Sequence, residues 1–182
     1  VRQGHHVTGS DDQIFEPAKS RLARVGILPD KEGWDAGKIN SDLDVVILGM
    51  HAKIDNPELL RALELEIPVY SFPAYVSEMF HGKLKVVVAG SHGKTTTTSM
   101  IMHVLKSLNL SFDFLVGAQL EGFDEMVAFS EAPLAIIEGD EYLSSCLDLR
   151  PKFLHYAPQI LIITGIAWDH YNVFPTLESY IK

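Results

Sequence analysis

Between Lys85 and Leu108 the chain reads Val86-Val87-Val88-Ala89, then Gly90-Ser91-His92-Gly93, Lys94, four threonines from Thr95 to Thr98, and an apolar-periodic segment. Three valines and an alanine in a row form the kind of apolar run that a parallel sheet buries on both faces. A glycine loop follows, and Lys-Thr opens a helix. Gly90 and Gly93 allow the backbone to approach an anion closely, and the helix N-terminus adds N–H groups and a positive dipole end. Lys94 can neutralise terminal phosphate charge, and the Thr95 hydroxyl can ligate magnesium. The common phosphate loop has a further glycine five residues before Gly93. Val88 stands there, so this is a shortened loop, G-x-x-G-K-T-T. The stretch calls for a strand–loop–helix unit of an α/β sheet with nucleotide phosphates at its end.

Two later strands should serve the same edge. Leu134–Ile137 is apolar and runs into Glu138-Gly139-Asp140-Glu141; Ile160–Thr164 runs into Ala167-Trp168-Asp169-His170. Carboxylates at the C-terminal ends of parallel strands face the crevice where such sheets bind ligands. A magnesium ion on nucleotide phosphates needs one or two protein carboxylates beside the loop hydroxyl. Glu138, the first acid off its strand, is the best single candidate, with Asp140 and Glu141 behind it, and His170 is the imidazole delivered to the same edge. Trp168 and Tyr171 read as packing residues. Phe112–Val116 and Val127–Phe129 are the remaining expected strands of this half.

The first half repeats the alternation of strand and helix. A brief strand at Val7-Thr8 ends at Gly9-Ser10-Asp11, where an acid can hydrogen-bond a ribose or base. A helix over Pro17–Val25 is closed by Gly26, a strand covers Val45–Leu48, a helix Pro57–Glu66, a strand Val69-Tyr70 and a helix Pro73–Phe80. The pattern restarts at His81-Gly82-Lys83, so the boundary falls near residue 82. Residues 1–81 form an incomplete Rossmann-like unit without its N-terminal glycine loop, and residues 82–182 an incomplete P-loop-type domain with a parallel sheet.

Composition narrows the function. The 182 residues are 47% hydrophobic and carry a net charge of −9, which argues against a general nucleic-acid surface. A single cysteine, Cys146, excludes an internal disulfide framework and fits a reducing cytoplasm. No apolar run approaches the roughly 18 residues of a membrane span. The chain opens at Val1 without a methionine and reads as part of a longer protein. A nucleotide-binding switch would use the same cradle, but it needs a base-reading segment such as NKxD, which the sequence lacks.

GSHGKTTTT at 90–98, EGDEY at 138–142, WDH at 168–170 and VTGSD at 7–11 together resemble the Mur ligases, the ATP-dependent amide-forming enzymes of peptidoglycan synthesis. The resemblance covers essentially the whole chain. It implies that Lys94 and the backbone of Gly90, Ser91, His92, Gly93, Thr95 and Thr96 hold ATP phosphates. It further implies that Thr95 and Glu138 ligate magnesium, that His170 binds a second magnesium, and that Ser10 and Asp11 lie near the uridine of a UDP-sugar. The implied catalytic set is Lys94, Glu138 and His170. The implied reaction passes phosphate from ATP to the lactyl carboxylate of UDP-N-acetylmuramate, and an amine then attacks the acyl phosphate. EGDEY, KFLHYAP at 152–158 and VVILGMHA at 45–52 resemble the tripeptide-adding members, with the alanine-adding members next. Gly165 and Ala167 stand where the family usually has Asn and an acid. The partners implied are the UDP-sugar, an amino acid or peptide, and missing domains of the same protein. Without those domains the isolated chain is expected not to ligate.

Overall fold

The computed structural model describes residues 1–171 and 173–181. It forms two compact units, Val1–Val46 with Lys53–Val69, and Ile47–Ala52 with Tyr70–Lys182. No helix among the described residues is long and apolar enough to cross a membrane.

In the first unit helix α1 (Ala18–Arg24) stops at Gly26, whose φ of 75° turns the chain so that its N–H reaches the Ala23 carbonyl. Helix α2 (Pro57–Glu64) has Pro57 at its first position, and the Asn56 side chain caps it by accepting from the N–H groups of Glu58 and Leu59. Its leucines divide by face: Leu59 is buried, whereas Leu60 and Leu63 are exposed. Strand β1 (Val46–Leu48) pairs with β2 (Val69–Ser71). Within β1 Leu48 is buried and Ile47 is exposed, so only one face of the strand is covered. The strand expected at Val7-Thr8 is absent; both residues are exposed, and no described strand pairs with them. An extended segment without a ladder partner has nothing to satisfy its N–H and C=O groups except solvent or turns.

Helix α3 (Phe72–Met79) is capped by Ser71 and packs with the second unit. Its Val76, with Phe80, joins Val87, Ala135, Ile137 and Tyr156 in one apolar cluster. Ser77 also donates to the His155 carbonyl at 2.7 Å. The contact boundary therefore falls at Val69/Tyr70, ahead of α3, whereas the periodicity restarts only after it.

The second unit is built on a sheet in the order β5-β4-β6-β3-β9, comprising β3 (Leu84–Ala89), β4 (Asp113–Leu115), β5 (Val127–Ala128), β6 (Leu134–Glu138) and β9 (Ile160–Ile163). β4, β6, β3 and β9 run parallel. β5 departs from the expected parallel pattern by pairing antiparallel with β4, which its short connection permits without a crossover helix. The sheet alternates as its period of two requires. Val87, Ala135 and Ile137 face α3 and the 3-10 turn Lys152–Tyr156, while Val86 and Ile136 face Met102 of helix α4 (Lys94–Ser107). Val87, Val88, Ile136 and Ile137 are wholly buried, and each contributes about 1.5–3 kcal/mol. A hairpin of β7 (Leu143–Ser145) and β8 (Asp148–Pro151) precedes the 3-10 turn and carries no strong apolar alternation. Helix α5 (Leu177–Ile181) ends the described chain.

Candidate functional site

Register fixes what meets at the sheet's C-terminal edge. Val88 lies opposite Glu138 and Ala89 opposite Ile163, so the glycine loop, the acidic turn and the loop after β9 all leave the sheet at one level. Gly90 and Gly93 have φ of 120° and 80°, conformations that side chains rarely adopt. At Gly90 space is also decisive, because a Cβ there would stand 2.7 Å from Thr164 Oγ1 and 2.8 Å from the Gly165 carbonyl. Gly93 caps α4, with the Thr97 N–H on its carbonyl, so Lys94 and Thr95 open the helix.

Ser91 ties the glycine loop to the loop that carries His170. Its backbone N–H donates to the Gly165 carbonyl at 3.0 Å, and its hydroxyl accepts from the Ala167 N–H at 2.7 Å and donates to the Ala167 carbonyl at 2.6 Å. Thr164 adds a bond to the His92 carbonyl at 2.5 Å. The Ser91 hydroxyl and its backbone N–H are thus both spent inside the protein, on the loop that carries His170. Ser91 uses only backbone atoms of Gly165 and Ala167, and a Cβ on Gly165 would meet nothing within 4 Å, so these contacts do not call for glycine at position 165.

Thr95 Oγ1 donates to Glu138 Oε1 at 2.9 Å, and the Gly117 N–H donates to Glu138 Oε2 at 3.1 Å. A Cβ on Gly117 would fall 2.9 Å from the Glu138 carboxylate, so Gly117 completes this arrangement, although nothing in the local sequence pattern marks it. Lys94 Nζ lies 2.8 Å from Glu141 Oε2 and 2.6 Å from the Gly90 carbonyl. Glu141 Oε1 lies 2.9 Å from His170 Nε2. His170 has φ of 56°, uncommon for a residue with a side chain, and the edge of one ring meets the face of the other where it packs on Tyr142, 4.4 Å between centroids. Sequence reasoning paired these residues incompletely: Thr95 meets Glu138 as expected, but the acid that joins Lys94 to His170 is Glu141.

The neighbouring acids are engaged elsewhere. Asp140 accepts from Lys152 at 2.6 Å and from the Tyr142 N–H at 3.0 Å. Burial works to raise its pKa, but the hydrogen bonds from Lys152 and Tyr142 and the charges of Lys152 and Lys94 outweigh burial and hold it below the ordinary carboxylate value. Asp169 is lowered chiefly by accepting the His170 N–H. Trp168 meets Tyr171 edge to face, although both are exposed, and donates to the Phe174 carbonyl. Ser10 and Asp11 belong to the first unit. There they line a cleft of about 490 Å³ with Val7, Ile14, Leu22 and Pro29, and Ser10 Oγ accepts from Lys38 at 3.0 Å.

The profile of the Mur ligase middle domain matches residues 88–182, over half of the chain. The chain belongs to the Mur ligase family. Among the Mur ligases it is 34% identical to the UDP-N-acetylmuramate–L-alanyl-γ-D-glutamyl-meso-2,6-diaminoheptandioate ligase of Haemophilus influenzae, over 98% of this chain and 39% of that protein. It is 36% identical to the UDP-N-acetylmuramate–L-alanine ligase of Rubrobacter xylanophilus, over 100% of this chain and 38% of that protein. The crystal structure of UDP-N-acetylmuramate:L-alanyl-γ-D-glutamyl-meso-diaminopimelate ligase from Neisseria meningitides matches with a TM-score of 0.88 and 33% identity, covering 98% of this chain and 58% of that one. The chain thus spans well under half the length of the curated relatives. The mixed α/β architecture is that of the Mur ligases.

The donor set suits magnesium. Thr95 and Glu138 set a hydroxyl and a carboxylate side by side, both hard oxygen ligands. Among the described residues no three His, Cys, Asp or Glu side chains gather into a metal cluster. Magnesium on a nucleotide does not require one, because phosphates and waters supply its other ligands.

Proposed function

We propose that this chain is the nucleotide-activating part of an ATP-dependent ligase that joins a peptide, L-alanyl-γ-D-glutamyl-meso-diaminopimelate, to UDP-N-acetylmuramate in the cytoplasm. The observation that carries this reading is the convergence of Lys94, Thr95, Glu138 and His170 on one sheet edge in a Mur ligase chain. Residues 82–182 would bind ATP, and residues 1–81 would hold the UDP-sugar, with Ser10 and Asp11 near the uridine in the cleft they line.

Lys94 and the loop backbone from Gly90 to Thr96 would hold the phosphates in line with the sugar's lactyl carboxylate. That carboxylate takes the γ-phosphoryl group and ADP leaves. The peptide amine then attacks the carbonyl carbon, phosphate departs, and the amine gives up a proton. Thr95 and Glu138 would hold one magnesium ion and His170 a second; when bound, the metal neutralises phosphate charge. The chain's own contribution is positioning and charge placement, the larger part of catalysis in phosphoryl transfer. The amine site and closure over the acyl phosphate would come from further domains of the same protein.

L-Alanine as the amino substrate is the second reading, favoured by the 36% identity to an alanine-adding relative. Product analysis of the full-length protein with ATP, UDP-N-acetylmuramate and each amine separates the two. The expected product is the UDP-N-acetylmuramoyl tripeptide. A preference for L-alanine would move the chain to the second reading, and amide formation with neither would reject the ligase assignment.

A further inference from the structure

Glu141 is 8% exposed in its side chain, and its one carboxylate serves two groups of the site. Lys94 Nζ sits 2.8 Å from Oε2 and 3.2 Å from Oε1, and His170 Nε2 sits 2.9 Å from Oε1. A carboxylate only accepts, so Nε2 is the donor at this contact. The segment carrying Glu141 is pinned on both sides, by the Asp140–Lys152 ion pair and by the Tyr142 N–H on Asp140, so the carboxylate can change partners without the segment moving. Lys94 meanwhile gives its charge to Glu141 and the Gly90 carbonyl, at the mouth of the loop where a phosphate would need it. A phosphate and Glu141 are therefore rivals for one ammonium group.

We propose that Glu141 is a positioning residue that acts as an internal stand-in for phosphate, holding Lys94 until a nucleotide takes the ammonium group and then serving His170 alone. Filling of the loop is in this way passed to the imidazole through a single carboxylate. The proposal rests on the phosphate-binding role of Lys94 given above. Glu138 cannot play this part, since its two oxygens are taken by Thr95 and Gly117.

The test compares Glu141→Gln, His170→Ala and the double variant in the full-length protein, reading the dissociation constant of magnesium–ATP and kcat. Glutamine keeps the shape and removes the charge. Glu141→Gln should bind magnesium–ATP at least about threefold more tightly, because no anion competes for Lys94, while kcat falls about tenfold or more. Added to His170→Ala, it should leave kcat within about twofold of His170→Ala alone, since both act through one group. Equal or weaker nucleotide binding, or losses that multiply, would overturn the proposal. If Glu141→Gln does not fold, Glu141→Asp keeps the charge but is too short to span both partners. It should lower kcat with binding within about twofold of wild type, and an unchanged kcat would overturn the idea. A wild-type protein that binds magnesium–ATP but forms no amide rejects the ligase reading, and the binding measurement on Glu141→Gln then decides alone. A wild-type protein that binds no magnesium–ATP overturns both.

Discussion

Strand β3 has a lysine–carboxylate pair at each end, and both measure 2.8 Å. At its start Lys83 Nζ meets Asp113 Oδ2; beyond its end Lys94 Nζ meets Glu141 Oε2. The first pair is closed. Lys83 also donates to the carbonyls of Ser130 and Ala132, and Asp113, wholly buried, also accepts from the Ser130 N–H and hydroxyl. Each partner's bonding capacity is filled by backbone or by a neighbour fixed to it. In the second pair Glu141 is shared with a histidine on another loop, and Lys94 has one short backbone bond, to Gly90, and one at the 3.5 Å limit, to Ser91. Separation alone would call the two pairs equal. What distinguishes a structural ion pair from one that can exchange partners is whether the remaining bonds of both groups are already made.

The largest effect should come from breaking the closed pair. Asp113→Ala leaves Lys83 charged, largely covered and without its counter-ion, and should cost about 3–5 kcal/mol of unfolding free energy. Denaturant unfolding of the full-length protein measures it, and a loss under about 1 kcal/mol would erase the distinction between the pairs. Lys94→Ala should weaken magnesium–ATP binding at least about a hundredfold, about 2.7 kcal/mol. Its stability loss should be less than half that of Asp113→Ala, because His170 still serves Glu141. Nucleotide titration beside denaturant unfolding checks both halves, and unchanged affinity would end the phosphate-loop assignment.

The smallest effect sharpens the comparison with a third, more exposed pair, Lys152 and Asp140. The folded pKa of Asp140 lies below its ordinary 3.8, so its contribution is complete above that value and is lost as the pH falls through the lowered one. Asp140→Asn should therefore cost less than about 1 kcal/mol at pH 7. The gap from wild type should close well below pH 3.8, and a gap that persists in acid would mean that the charge is not what matters.

The sheet of the second unit was legible because its strands announce themselves. Val86–Ala89 and Leu134–Ile137 are apolar enough to be buried on both faces, and a glycine loop or acidic turn marks where each ends. The order of strands, which the sequence does not state, sets β6 beside β3 and so Glu138 beside Thr95. Less of the first unit was readable: Val7-Thr8 has strand-forming residues but no partner, and pairing is not written in a strand's own residues. The β7–β8 hairpin escaped because Leu143–Ser145 and Asp148–Pro151 are too short and polar to show a period. Glu141 was not separable from Glu138 and Asp140, because an irregular turn has no periodicity to say which carboxylate swings back. The Ser91 bonds to Ala167 join residues 76 apart, and a local reading has no access to that distance.

Gly139 sets a rule for anyone building hybrids of this chain with its relatives. A Cβ there would stand 2.6 Å from Val87 Cγ1 and 3.0 Å from Phe153 Cβ, and the Phe153 N–H donates to the Asp140 carbonyl. EGDEY and KFLHYAP, fourteen residues apart at their starts, are thus two sides of one joint. A crossover placed between them would pair a turn from one parent with a plug from another. Donor segments therefore have to carry residues 138–158 as a block, with the valine at position 87 matched to the same parent.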